Sequence, residues 1–199
     1  MLVPITKGFN HSGVIKQMVK KDFVFKIAVL GSFAIGKTSL ISQFCERQFK
    51  EDYKPTLGAS IIIKDVKLFK DRDEFDCRLV LWDIAGQEKY ENVRQMYFQG
   101  CAGAILVYDL TRIPTFSEIR TKWVVDFREN AVPGACSILI GNKKDLEGIR
   151  NVSTEEGENL ANEINAAAFL ETSAKTGENV ESSFLTLVRK ILLQTGEVI

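Results

Sequence analysis

The stretch GSFAIGKTS, residues 31–39, decides the fold of this chain. It follows the apolar run FVFKIAVL at 23–30, and an amphipathic pattern begins at Lys37. Gly31 to Thr38 match the pattern G-x-x-x-x-G-K-[ST] between a strand and a helix, which is the context that this pattern requires. A chance glycine turn is the alternative, but the context favours a phosphate-binding loop between the first strand and the first helix of an α/β sheet.

A loop of this kind binds phosphates mainly through its backbone. The loop amides and the N-terminus of the following helix face the phosphates. Lys37 is expected to neutralise the outer phosphates, Thr38 to coordinate Mg²⁺ through its hydroxyl, and Gly36 to let the backbone approach closely. The candidate nucleotide-binding residues of the stretch are Gly31, Ser32, Phe33, Ala34, Ile35, Gly36, Lys37, Thr38 and Ser39.

The rest of the chain alternates between apolar and amphipathic segments. Six strands are predicted at 23–30, 60–69, 75–84, 102–110, 136–142 and 167–173. Five helices are predicted at 37–48, 87–98, 115–129, 154–164 and 179–193. The turn KDRDE at 70–74 predicts one antiparallel edge strand. We therefore expect an α/β fold of three layers, the P-loop NTPase fold, with a six-stranded and mostly parallel sheet.

The composition indicates one ordinary domain. The chain has 199 residues, 45% of them hydrophobic, and a formal net charge of zero. The balanced charge excludes an overall attraction to nucleic acid. We expect the domain at 22–199 and an N-terminal extension, rich in lysine, at 1–21. Two interpretations of the extension stay open: a disordered leader or helix folded onto the domain, and an amphipathic helix that touches a membrane.

The cysteines form no pattern typical of a metal site or a disulfide framework. Cys45, Cys77, Cys101 and Cys136 are scattered along the chain, and His11 is its one histidine. We therefore expect buried, reduced thiols. No apolar run approaches the roughly 20 residues of a membrane span. We expect a cytoplasmic protein, with peripheral contact to the cytosolic face of membranes as an open alternative.

The segment GNKKD at 141–145 indicates which base is bound. It follows a predicted strand, so Asn142, Lys143 and Asp145 stand at the carboxyl end of the sheet, where ligands of such folds bind. The Asp145 carboxylate can accept two hydrogen bonds from guanine N1 and N2. Adenine offers no such pair, so we expect roughly ten-thousandfold discrimination. A solvated turn is the alternative.

The segment ETSAK at 171–175 supports the same interpretation. It follows the last predicted strand, so it should lie beside the first base-binding segment. We expect the Ala174 amide to reach guanine O6, and Lys175 to flank the ring whose other side the alkyl part of Lys143 covers. Ser173 is a further candidate in this loop.

Two more segments predict a metal site and a hydrolytic centre. In WDIAGQEKY at 82–90, Asp83 is expected to hold Mg²⁺ through water, the Gly86 amide to meet a γ-phosphate, and Gln87 to orient an attacking water. In YKPTLG at 53–58, Thr56 is a second Mg²⁺ ligand, engaged when the γ-phosphate holds the loop closed. The candidate catalytic residues are Gln87, Lys37, Thr56 and Gly86, and the candidate metal ligands are Thr38, Thr56 and Asp83.

With these five motifs in order, the sequence from 23 to 194 resembles a small GTPase of the Ras superfamily, and the Rab family most closely. YKPTLG, WDIAGQEKY, GAILVYDLT and LIGNKKDLE all resemble Rab stretches. The resemblance implies the small G protein fold and a switch: GTP orders two loops that bind effectors, and hydrolysis releases them. Exchange factors and GTPase-activating proteins set the timing. It also implies that Phe49 packs against guanine, with a core position as the alternative, and that Tyr53 closes over the phosphates.

The chain departs from the Rab pattern at its end. Rab proteins usually end in prenylated cysteines, whereas this chain ends LLQTGEVI. One interpretation is a shortened chain. The other is an unprenylated protein that reaches membranes through residues 1–21 or through partners, which would also suit archaea related to eukaryotes.

Phe33 is the second departure, because Ras and Rab proteins carry small residues at the matching position. A ring there would compete for the space of the water at Gln87 and of an arginine finger, which is worth roughly a thousandfold in rate. Phe33 and Ala34 also tolerate the positive φ angles of such loops less well than glycine. In the alternative, the ring swings outward and leaves the water site open.

Two functions therefore compete. The first is a slow GTP-hydrolysing switch of Rab type, in membrane traffic or related signalling. The second is a hydrolysis-impaired, persistently GTP-bound interaction module. An ATPase or nucleotide kinase is disfavoured by NKKD and ETSAK. The expected partners are guanine nucleotide with Mg²⁺, effectors, exchange factors and GTPase-activating proteins, with no nucleic acid and a monomeric state.

Overall fold

The computed structural model describes residues 20–49, 56–71, 73–87 and 91–197. Six strands form one sheet in the order β2-β3-β1-β4-β5-β6. They are β1 (Lys20–Leu30), β2 (Ala59–Lys70), β3 (Asp73–Ile84), β4 (Gly103–Asp109), β5 (Cys136–Asn142) and β6 (Phe169–Thr172). Among the strands of the described residues, only β2 runs antiparallel to its neighbour. The predicted six-stranded, mostly parallel sheet with one antiparallel edge is confirmed.

Burial explains the two kinds of strand pattern. Every residue of β4 and β5 is buried, because helices cover both faces of the central sheet. Strand β2 alternates between exposed and half-buried residues over much of its length, as expected at an edge. Strand β1 begins at Lys20, so the last two residues of the expected extension lie in the sheet. Residues 1–19 lie outside the described part of the chain.

Six α-helices accompany the sheet in the described part of the chain. They are α1 (Lys37–Glu46), α2 (Glu91–Phe98), α3 (Ile113–Glu118), α4 (Val124–Asn130), α5 (Thr154–Glu163) and α6 (Val180–Gln194). A π-helical turn at Ile119–Trp123 joins α3 to α4, and a 3-10 helix covers Lys144–Ile149. The predicted helix at 115–129 is therefore three consecutive pieces. The first piece begins at Ile113, earlier than predicted, because Pro114 lies in its first turn. The backbone N–H groups of a first turn have no partner within the helix, so the N–H that proline lacks is not missed there.

The helix predicted at roughly 87–98 does not include Gln87. Helix α2 begins at Glu91, and Gln87 lies in a bend after β3. The helix predicted at 37–48 ends at Glu46, because Arg47 adopts a left-handed conformation with φ 53°. Helix α5 begins as predicted, with a capping box in which Ser153 and Glu156 satisfy each other's backbone amides.

The sheet separates two apolar cores. One core lies under α1 and α6, where the rings of Phe44 and Phe184 stack with centroids 4.2 Å apart. The other lies under α2 to α5 and contains Trp123 and Tyr108, both buried. Each core removes a large apolar area from water, which holds the strands and hence the loops at their carboxyl ends in fixed positions.

Four of the five predicted motifs follow strands at the same edge of the sheet, whereas the segment that carries Thr56 precedes β2. Strand β1 leads into 31–36, β3 into 85–87, β5 into 143–149 and β6 into 173–179. This is the edge at which ligands bind in open α/β sheets. Among the described residues, no helix is both long and apolar enough to cross a bilayer.

Candidate functional site

The phosphate-binding stretch forms a tight loop between β1 and α1. Gly31 and Gly36 have φ angles of 139° and 95°, which favour glycine. A Cβ at Gly31 would lie 2.2 Å from the carbonyl oxygen of Val107, and a Cβ at Gly36 would lie 2.5 Å from the side-chain nitrogen of Asn142. Both positions therefore require glycine for space as well as for conformation.

Lys37 folds back over the loop that precedes it. Its side chain is buried, and its Nζ donates hydrogen bonds of 2.8 Å to the carbonyl oxygens of both Gly31 and Ser32. The Ser32 hydroxyl in turn donates to the carboxylate of Glu118 in α3. The ammonium group is thus held beside the loop, in position to meet a phosphate.

Three oxygen-bearing side chains from distant segments meet beside Lys37. The Thr38 hydroxyl donates to Asp83 Oδ2 at 2.6 Å and lies 3.1 Å from the Thr56 hydroxyl, which itself lies 3.3 Å from Asp83 Oδ2. Asp83 is 1% exposed, and its Oδ1 has no hydrogen-bond partner among the described residues. A buried carboxylate oxygen of this kind calls for a cation. Hydroxyl and carboxylate oxygens are the ligands that Mg²⁺ prefers, so this cluster fits Mg²⁺.

Gly86 lies directly against the phosphate-binding loop. A Cβ there would come within 2.4 Å of the Ser32 carbonyl carbon and 2.6 Å of the Phe33 nitrogen. Gln87 follows, and it borders a small cavity of about 30 Å³. The cavity is lined by Phe33, Ala34, Ile35, Gly36, Lys37, Thr38, Ser39, Thr56, Ala85, Gly86 and Gln87. The structure therefore brings the four candidate catalytic residues to one cavity.

The backbone strain expected at Phe33 and Ala34 is found at only one of these two residues. Ala34 has φ 58°, which costs a non-glycine residue about 1 kcal/mol. Phe33 does not adopt a positive φ, so the backbone strain expected of both residues falls on Ala34 alone. The Phe33 side chain is 40% exposed, yet it borders the same cavity as Gln87.

Asn142 connects the phosphate-binding loop to the loop after β6. Its side-chain nitrogen donates to the Ile35 carbonyl at 2.8 Å. Its Oδ1 accepts hydrogen bonds from the Thr172 hydroxyl at 3.1 Å and from the Ala174 amide at 3.2 Å. The amide expected to reach guanine O6 is therefore bonded to Asn142 in this structure. Asn142 is 1% exposed, so it fixes the two loops relative to each other.

Most of the remaining base-binding candidates are exposed or half-buried. Asp145 is exposed and accepts a hydrogen bond of 2.6 Å from the Ser173 hydroxyl. Lys143 has φ 72°, and its Nζ donates to the Ala34 carbonyl at 3.2 Å. Lys175 and Phe49 are exposed. Tyr53 lies outside the described residues.

Sequence reasoning missed a charged group beneath the loop. Asp109, at the end of β4, is fully buried and forms ion pairs with Lys143 Nζ at 2.8 Å and Arg112 Nε at 2.9 Å. Burial acts to raise the pKa of the Asp109 carboxyl, but hydrogen bonds from Lys143 and Thr111 outweigh it and hold this pKa below its ordinary value. The sequence feature that could have identified Asp109 is its position at the end of the continuous apolar run that forms β4.

Comparison with known proteins agrees with this geometry. The family model described as "Ras family" matches residues 26–193. The chain is 43% identical to Ras-related protein Rab-4A of Danio rerio over 182 residues, which cover 89% of this chain and 81% of that protein. It is 42% identical to Rab-4A and to Rab-4B of Homo sapiens, each over 179 residues and 89% of this chain, with 79% and 81% of those proteins covered.

The chain therefore belongs to the Ras family, and within the Ras superfamily it is a Rab-like small GTPase. Members of this family bind guanine nucleotides and hydrolyse GTP. The loop after β1 and the cluster of Thr38, Thr56 and Asp83 are the parts of this chain that suit that activity.

Proposed function

We propose that this protein is a Rab-type molecular switch, which binds GTP or GDP with Mg²⁺ and changes its effector-binding loops when GTP is hydrolysed. The observation that carries the proposal is the meeting of Thr38, Thr56 and Asp83. Thr56 precedes β2, so a cation held by all three would couple the state of the nucleotide to the position of an outer loop.

The site residues have distinct roles in this proposal. Lys37 and the loop amides hold the outer phosphates, and Asp145 reads the base through guanine N1 and N2. Thr38 and Thr56 would bind Mg²⁺ directly and Asp83 through water. When bound, the metal would neutralise charge on the phosphate oxygens. The Gly86 amide meets the γ-phosphate, and Gln87 orients the attacking water through its side-chain amide.

Nucleotide binding and single-turnover hydrolysis test the proposal. Fluorescent GDP should bind the purified protein, and GDP should displace it far better than ADP, because adenine lacks the pair of donors that guanine N1 and N2 offer to the Asp145 carboxylate. Preloaded GTP should be hydrolysed in the presence of Mg²⁺, and Gln87→Leu should slow this step. A preference for ADP would refute the guanine assignment, and hydrolysis unaffected by Gln87→Leu would refute the role of Gln87.

A second function, a persistently GTP-bound interaction module, is favoured by one observation. Phe33 lines the same small cavity as Gln87, and a ring turned into that cavity would compete with the attacking water for space. Phe33→Gly should then accelerate single-turnover hydrolysis strongly while leaving GTP affinity unchanged. Equal rates in the two proteins would remove this second function and leave a self-timing switch.

The proposal extends to partners and location. Effectors, exchange factors and GTPase-activating proteins would contact the segments around Thr56 and Gln87, which border the cavity. We propose a monomer that acts in the cytoplasm, on the cytosolic face of membranes, in membrane traffic or related signalling. Size-exclusion chromatography with light scattering tests the monomeric state, and vesicle flotation of the full chain tests membrane contact.

A further inference from the structure

Every carbonyl group from Gly31 to Ile35 accepts a hydrogen bond from a side chain. Lys37 donates hydrogen bonds to the first two carbonyls, and Asn142 donates one to the carbonyl of Ile35. The two in the middle bond to side chains outside the loop: Arg112 donates to the Phe33 carbonyl at 2.9 Å, and Lys143 donates to the Ala34 carbonyl at 3.2 Å. The loop conformation is therefore held from outside as well as by its own glycines.

We propose that Arg112 is a positioning residue for the nucleotide phosphates, which acts by turning the peptide between Phe33 and Ala34. In a trans peptide the carbonyl and the following amide point in opposite directions. When Arg112 holds the Phe33 carbonyl on its own side, the Ala34 amide must point to the other side of the loop. Successive amides turned the same way form a concave site for an anion.

Asp109 holds Arg112 in place for this task. It accepts a hydrogen bond of 2.9 Å from Arg112 Nε, while a second guanidinium nitrogen reaches the Phe33 carbonyl. The planar guanidinium thus bridges a buried carboxylate and the loop with fixed geometry. Asp109 also pairs with Lys143 Nζ at 2.8 Å, so one carboxylate orients the two cations that hold the middle carbonyls.

Arg112 lies outside the five motifs that define the site, and nothing in their spacing points to it. Its side chain is 40% exposed, so replacing it removes the bridge without opening the core. The inference rests on the proposed binding of nucleotide phosphates by this loop. It adds that a residue on the segment between β4 and α3 sets the affinity for those phosphates.

The test compares GDP with GMP, which lacks the second phosphate. Each nucleotide competes against fluorescent GDP on the full chain, with Mg²⁺ present. We expect Arg112→Ala to weaken GDP binding about tenfold, the effect of losing one charge-assisted hydrogen bond, while GMP binding changes little. Arg112→Lys keeps the charge but cannot bridge both partners, so it should resemble Arg112→Ala. The matched control is Arg120→Ala, which removes an exposed arginine paired with Glu163 at 3.3 Å.

The outcomes separate the inference from the proposed function. A tenfold fall in the ratio of GDP to GMP affinity supports the inference. An unchanged ratio, an equal loss for both nucleotides, or full recovery with Arg112→Lys overturns it, because each would show that the bridge does not orient the phosphate site. If the unaltered protein fails to bind fluorescent GDP, the proposed function itself is refuted. Asp109→Asn gives a second route, since it should loosen Arg112 and lower the same ratio.

Discussion

The hydroxyl of Thr38, at the start of α1, donates a hydrogen bond of 2.6 Å to the carboxylate of Asp83, near the end of β3. The two residues are 45 positions apart in the sequence. The hydroxyl of Thr56 lies 3.1 Å from that of Thr38, so three separate segments supply oxygens to one point. A cluster of hydroxyl and carboxylate oxygens of this kind suits Mg²⁺.

The first prediction concerns Thr38→Asn. The larger amide cannot take the place of the hydroxyl, so Mg²⁺ is held less well, and GTP depends on Mg²⁺ charge neutralisation more than GDP does. We expect the ratio of GTP to GDP affinity to fall about tenfold or more. Competition of both nucleotides against fluorescent GDP, with Mg²⁺ and with EDTA, measures it. Thr121→Asn, at an exposed hydroxyl that bonds the Ser117 carbonyl, is the control. An unchanged ratio with Mg²⁺ would count against Thr38 as a metal ligand.

The second prediction concerns Gly86→Ala. The new Cβ would lie 2.4 Å from a backbone atom of Ser32, which cannot move aside as a flexible side chain can. The segment that carries Gln87 must then lift from the loop. A shift of about 1 Å can cost a hundredfold in rate, so we expect single-turnover GTP hydrolysis to slow about a hundredfold.

Gly148→Ala is the matched control for this change, because a Cβ at Gly148 meets no atom within 4 Å. It should leave hydrolysis unchanged. Equal rates in Gly86→Ala and the unaltered protein would show that the close contact with Ser32 is not needed for hydrolysis.

Much of the fold follows from local sequence, because the buried strands β4 and β5 are continuous apolar runs and the phosphate-binding pattern fixes β1 and α1. The differences between prediction and structure lie at two helix starts. Pro114 starts α3 before the apolar pattern does, and the start of α2 at Glu91 leaves Gln87 outside the helix that the pattern predicted.

Sequence motifs name the candidate site residues but not the network of hydrogen bonds that joins them. The contact of Asn142 with Ile35 spans 107 positions, and that of Arg112 with Phe33 spans 79. Spacing patterns describe neighbours within one element, so they name the residues of a motif without showing which carbonyl each side chain holds. The bonding of the Ala174 amide to Asn142 could be seen only in three dimensions.

The third prediction concerns the cysteines. All four are free; Cys77, Cys101 and Cys136 are buried, as the sequence predicts, and Cys45 is half-buried. Burial raises the pKa of the Cys77 and Cys101 thiols to about 11, which lowers their reactive thiolate fraction. Burial raises the pKa of the Cys45 thiol as well, but Cys45 alone of the four is partly exposed. Ellman's reagent at about pH 8 should therefore modify Cys45 first in the folded protein, and all four thiols in denaturant. Cys45→Ser should abolish the fast phase. A fast phase that survives Cys45→Ser would show that a buried thiol opens readily.

The fourth prediction concerns Glu171, which joins the last strand to the segment after β5. Arg150 donates to both of its carboxylate oxygens, at 2.7 and 2.8 Å. Both side chains are largely buried, with 15% of Arg150 and 9% of Glu171 exposed. Burial acts to raise the pKa of the Glu171 carboxyl, but the hydrogen bonds from Arg150 and Thr154 outweigh it and hold the pKa below the ordinary value of 4.5.

The direction of this pKa shift fixes the effect of pH on stability. Because the folded protein binds the Glu171 proton less tightly than the unfolded chain does, the ion pair stabilises the fold above the ordinary pKa of 4.5. This contribution is lost as pH falls through the lower, folded-state pKa. We expect Glu171→Gln to lower the free energy of unfolding by about 2 kcal/mol near neutral pH, below the range for a fully buried pair. The difference should shrink steadily between about pH 5 and about pH 3.

Urea unfolding followed by tryptophan fluorescence across this pH range measures the difference. The control is Glu178→Gln, which removes an exposed ion pair with Lys144 at 2.5 Å. Because exposed pairs contribute about 0 to 1 kcal/mol, that variant should stay close to the unaltered protein at every pH. A difference for Glu171→Gln that stays constant down to about pH 3 would mean that the carboxylate charge is not what stabilises the fold, and that the glutamate acts through packing alone.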